Sequence, residues 1–102
     1  MKSQTFLIAQ LDKLVEKMPY IQLKYEFEGI GKTHCVEVLP INLFKNNKSY
    51  IDFEMDLILS FITLFPHENL VFLSENSLYK IEKPIYVKTG TLFGISKEPV
   101  LL

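Results

Sequence analysis

The period of the hydrophobic pattern changes at Pro19, and few other features constrain this chain as tightly. Before it, Leu7, Leu11, Leu14 and Met18 recur at helical spacing, flanked by Ile8 and Val15, with Gln10, Asp12, Lys13, Glu16 and Lys17 mostly opposite. This predicts an amphipathic helix over 4–18, with Ser3 as N-cap and Pro19 as its stop. After it, Ile21, Leu23, Tyr25 and Phe27 alternate with Gln22, Lys24, Glu26 and Glu28. That period of two predicts a strand with one buried and one wet face. A second strand follows in HCVEVLP, with Val36 and Val38 inward and Glu37 outward.

The second half repeats this plan in outline. Asn46-Asn47-Lys48-Ser49 reads as a loop, and Ser49 with Asp52 as a capping-box-like start to a second helix. Asp52, Glu54 and Asp56 load its N-terminal half with negative charge, and Pro66 closes it. LVFLS at 70–74, apolar on both faces, predicts a central strand, and LYKIE at 78–82 a returning one. IYVK and TLFGI are expected to pair about Thr89-Gly90, and 97–102 form an apolar tail. The result is a coarse repeat of helix, proline and hairpin. In element order alone it resembles small dimeric secretion chaperones, without the third, C-terminal helix they carry. That resemblance implies a sandwich that holds a client segment.

The fold expected is α+β: a two-layer sandwich of two helices on a mostly antiparallel sheet, in the order α-β-β-α-β-β(-β-β), with 1–102 as one domain. With 48% hydrophobic residues, such a chain can bury a core without metal or disulfide.

Charge narrows the partners. All eleven basic residues are Lys and the net charge is −1, so the planar fork that reads phosphate and guanine is missing. Nucleic acid is therefore an unfavoured partner, and it ranks as the third functional alternative. Cys35 is the sole cysteine, which suits a reducing compartment. The short apolar run TFLIA does not suit a signal peptide, and LILSFITLF is too short to span a bilayer. A soluble, cytoplasmic protein without a membrane partner is expected.

EGIGKT, at 28–33, resembles the end of a phosphate-binding loop. The position five before Gly31 holds Glu26 rather than glycine, and the segment leads into a strand rather than a helix. It is read as a hairpin turn in which Gly29 and Gly31 supply positive φ. His34 and Cys35, adjacent on a strand, point to opposite faces and cannot form a nucleophile–base pair. By parity His34 leans inward and Cys35 shares the wet face with Glu37. His67 suits the end of the second helix, and Asp52 and Asp56 a solvated helical face. No spacing demands a catalytic residue, a cofactor or a metal.

The second helix is too apolar for one sheet. Ile51, Met55, Ile58, Ile62 and Phe65 form one stripe, and Tyr50, Phe53, Leu57, Phe61 and Leu64 an adjacent one. Together they cover roughly twice the arc of about 100° that a surface helix buries. Phe53, Leu57, Phe61 and Leu64 are expected to meet another chain, while the other stripe faces the sheet. The function so indicated is a non-enzymatic interaction or adaptor domain, its partner a second copy or another protein. The alternative is a small-molecule-binding or catalytic domain with a pocket between helix and sheet, using tyrosines and His34.

Overall fold

The computed structural model describes residues 1–95. Its elements are α1 (Lys2–Lys17), β1 (Gln22–Glu28), β2 (Thr33–Leu39), α2 (Ile41–Asn46), α3 (Lys48–Leu64), β3 (Asn69–Leu73) and β4 (Tyr86–Thr89). This is an α+β chain with a four-stranded mixed sheet in the order β3-β2-β1-β4. The apolar segment at 97–102 lies outside the described residues.

The first half follows its periodicity. On α1, Leu7, Leu11, Leu14 and Val15 are buried against Ile21, which precedes β1, Leu23 and Tyr25 of β1, and Val36 and Val38 of β2. Each such side chain contributes roughly 1.5–3 kcal/mol when fully buried. Ser3 does not cap the helix: Met1 occupies that position, and Ser3 sits in the first turn, buried. β1 and β2 form an antiparallel hairpin with Glu28 opposite Thr33. Its turn is organised by Glu28, whose carboxylate accepts from Ile30 N at 3.0 Å and Gly31 N at 2.6 Å. The residue with positive φ is Lys32, at 50°, rather than either glycine. At Gly31 a Cβ would lie 2.9 Å from Glu28 Oε1, so a larger residue there would shift the carboxylate that organises the turn.

The second half departs from the expected repeat. Ahead of the predicted loop at 46–49 lies the short helix α2, and α3 starts inside that loop, capped by Asn47, whose side chain accepts from Tyr50 N at 2.9 Å. Ser49 and Asp52 form no capping box; Asp52 instead pairs with Lys48 at 3.0 Å, one turn earlier. β3 runs parallel to β2 and stands at the sheet edge, not at its centre. Two connected parallel strands need a crossover, and α2 with α3 provides it.

LYKIE forms no strand. The chain leaves β3 at one edge and must reach β4 at the other, so residues 74–85 cross the sheet as an irregular strap. They cross on the face away from the helices, where Tyr79 Oη donates to Glu26 Oε1 at 2.5 Å. β4 then pairs antiparallel with β1, placing Tyr25 opposite Tyr86 and Gln22 opposite Thr89. TLFGI is a turn, so the second hairpin does not exist. Without the LVFLS–LYKIE hairpin, the internal repeat and the chaperone-like element order both lapse. Asp12 of α1 secures β4 by accepting from Tyr86 Oη at 2.6 Å, with Lys88 Nζ 3.7 Å away. Gly90 closes the circuit: its N–H donates to Ile21 O at 2.8 Å, and a Cβ there would lie 2.0 Å from Pro19 O.

Candidate functional site

The most connected polar group inside the fold is centred on His34. β-sheet parity turns its side chain into the core, where it is fully buried beside Phe27 and Phe61, with ring centroids 4.6 and 5.1 Å away. Tyr25, also fully buried, places Oη 2.5 Å from His34 Nδ1. Glu68, in the turn between α3 and β3, places Oε1 2.6 Å from His34 Nε2. An ionised carboxylate only accepts, so Nε2 carries the proton, and in the neutral ring Nδ1 accepts from Tyr25.

The His34 hydrogen bond holds the Glu68 carboxyl below its usual value. Ser3 approaches the same carboxylate without a hydrogen bond of ordinary geometry. Burial, followed by the nearby Glu68, pushes the Tyr25 phenol far up. A substrate has no route to two fully enclosed rings. The cluster joins β1, β2 and the start of β3, and acts as a polar rivet. Sequence parity placed His34 inward, but its partner Glu68 lies 34 positions away, beyond any local pattern.

Cys35 is buried rather than wet, because the strap roofs the outer face of the sheet. Burial, then Glu26 and Glu28, push its thiol up, the opposite of nucleophile activation. Tyr79 over it is pushed up to about 12, chiefly by its hydrogen bond to Glu26. His67, Asp52 and Asp56 are exposed. Among the described residues no group of three or more His, Cys, Asp or Glu is placed to hold a metal ion. Nor is any helix there long and apolar enough to cross a membrane.

The apolar excess of α3 is real, but its orientation differs from expectation. Leu57 and Phe61, assigned above to another chain, are buried in this chain's own core with Tyr50. Phe53 is half-buried, and Leu64 is exposed beside the groove between α1 and α3. Of the stripe assigned to the sheet, Met55 and Ile62 turn outward instead, while Ile51, Ile58 and Phe65 are half-buried. Met55 is 58% exposed, Ile62 52%, and neighbouring Leu59 63%. The reason is the position of α1, which packs along the Phe53–Ser60–Leu64 side and rotates the Leu57 side onto the sheet.

Comparison of the chain with protein families, with curated proteins and with solved structures returns no match.

Proposed function

We propose that this chain is a non-enzymatic protein-interaction domain that self-associates through the outward flank of α3. One observation carries the reading: Met55, Leu59 and Ile62, at i, i+4 and i+7, are each more than half exposed on a helix whose other side is already seated. Contiguous exposed side chains of this size mark an interaction surface, unlike apolar residues scattered singly. A second copy is the simplest partner, since two-fold self-contact is the commonest symmetry among soluble oligomers. The correction from Leu57 and Phe61 to Met55 and Ile62 moves the surface by more than a third of a turn of the helix, at about 100° per residue.

Two observations weigh against the alternative of a pocket between helix and sheet. Packed side chains of α1 and α3 fill that space, and of the tyrosines and His34 offered for it, Tyr25 and His34 satisfy each other.

The test is Met55→Glu with Ile62→Glu, followed by light scattering and circular dichroism. The wild type is expected to be a dimer, and the variant a monomer of unchanged helicity, because neither side chain belongs to the buried core. A wild type that is monomeric at every accessible concentration refutes self-association.

A further inference from the structure

Resting on that reading, we propose that the two copies join edge to edge, β3 against β3, in one continuous eight-stranded sheet. The two ends of the sheet are unlike. β4 follows Lys83-Pro84 and carries Lys88, devices that discourage strand addition at an edge. β3, Asn-Leu-Val-Phe-Leu, carries neither charge nor proline.

Its hydrogen-bonding groups are placed for the purpose. Asn69 N donates to the O of Lys32, the residue before β2, so by alternation Val71 and Leu73 also turn their main-chain groups toward β2. The amides and carbonyls of Leu70 and Phe72 therefore point away from the sheet. A two-fold axis through Val71, normal to the sheet, sets Leu70 of one copy opposite Phe72 of the other. Each pair then exchanges two N–H···O bonds, and Val71 meets its own copy as a close, non-hydrogen-bonded pair. Val71 side chains lie on the outer face, with Cys35 as neighbour, and are 39% exposed. No charge lies between Asn69 and Ser74 to oppose its like across the axis.

The helices fit the same operation. α3 is seated over β2 and β3, since Phe61 meets His34 of β2 while Leu70 and Phe72 of β3 pack on the same core. The axis keeps both helices on one face. Their axes then lie about two strand spacings apart, roughly 9–10 Å, and packed helices sit about 8–10 Å apart. The flank of Ile51, Met55, Ile58 and Ile62, turned away from α1, would close against its copy. A lone extended segment from another protein would complete the ladder but bring no helix to cover this flank.

Val71→Lys and Val71→Glu test the register, because each puts like charges directly opposite at the axis. Each variant alone should be a folded monomer at concentrations where the wild type is dimeric, and an equimolar mixture should restore the dimer. On the wild type, hydrogen exchange should show Leu70 and Phe72 amides protected in the dimer and exposed on dilution, while Val71 stays protected. That measurement decides the matter even if a variant fails to fold. Val71 variants that remain dimeric while Met55→Glu/Ile62→Glu is monomeric overturn the edge pairing and leave the α3 interface standing. A monomeric wild type overturns both, leaving the free edge to a strand from another protein.

Discussion

Tyr25→Phe removes one oxygen atom, and the structure gives that atom a definite value. The hydroxyl is the group that His34 Nδ1 meets, at 2.5 Å, in a site with no solvent exposure at either residue. Phe retains the ring and its packing, so the perturbation is confined to a buried acceptor losing its donor. Leaving such a group unsatisfied costs about 1–3 kcal/mol. For a domain of this size each kcal/mol moves Tm by roughly 4–8 °C, so a fall of roughly 4–24 °C is expected. Urea denaturation followed by circular dichroism measures the free energy, and nitrogen NMR of the imidazole reports the tautomer. The wild type should show the proton on Nε2, facing Glu68. An unchanged Tm, or a wild-type ring protonated on Nδ1 alone, would show that Tyr25 is not the donor and that the rivet is misread.

Three further outcomes follow from other contacts. Glu68→Gln keeps an acceptor but loses its charge, which should cost about 1 kcal/mol at neutral pH. The folded carboxyl lies below its ordinary value, so its stabilisation is present above the unfolded carboxylate range and lost as pH falls through the folded pKa. The stability gap between wild type and Glu68→Gln should therefore close in acid; a gap independent of pH contradicts the assignment. Gly90→Ala drives a Cβ onto the Pro19 carbonyl and should destabilise by about 1–3 kcal/mol, read as Tm. Cys35 in the folded protein should react with a thiol reagent more slowly than a free cysteine, and a free-cysteine rate would place it in water.

The local half of this architecture was legible in the residues. The change of period at Pro19, the alternation in β1 and β2 and the presence of a turn between them depend on neighbours in sequence and formed as expected, although the positive φ fell on Lys32 rather than a glycine and Ser3 is not the N-cap. Most of what failed depends on distant partners. LVFLS is apolar on both faces because β3 lies beside the α3 flank at an open edge, a setting whose pattern matches that of a buried central strand. LYKIE alternates, yet the strand it would need beside it is already paired on both sides: β1 lies between β2 and β4, and β2 between β1 and β3. For α3, two adjacent apolar stripes left the choice of inward face to α1, and helical periodicity cannot report a neighbour's position. Ser49 and Asp52 matched a capping pattern, but Asn47, two residues earlier, reached the Tyr50 amide first. His34 was placed inward by parity, whereas Glu68 carried no signal beyond being a carboxylate near a helix end.

The strap also orders the events of folding. β1 and β2 meet across a turn from Glu28 to Thr33, while the register of β4 brings Thr89 to Gln22, 67 positions away. Closing a long loop costs conformational entropy before any contact repays it, and such pairings form slowly. The hairpin and α1 can therefore assemble early, and β4 can dock only after the chain has crossed the finished sheet. Pulse-labelled amides of 86–89 should gain protection after those of 22–28, with the Asp12 tether to Tyr86 the last cross-link to form. During that interval the β1 edge stands open, so a nascent or refolding chain offers an adhesive edge that β4 covers in the finished fold.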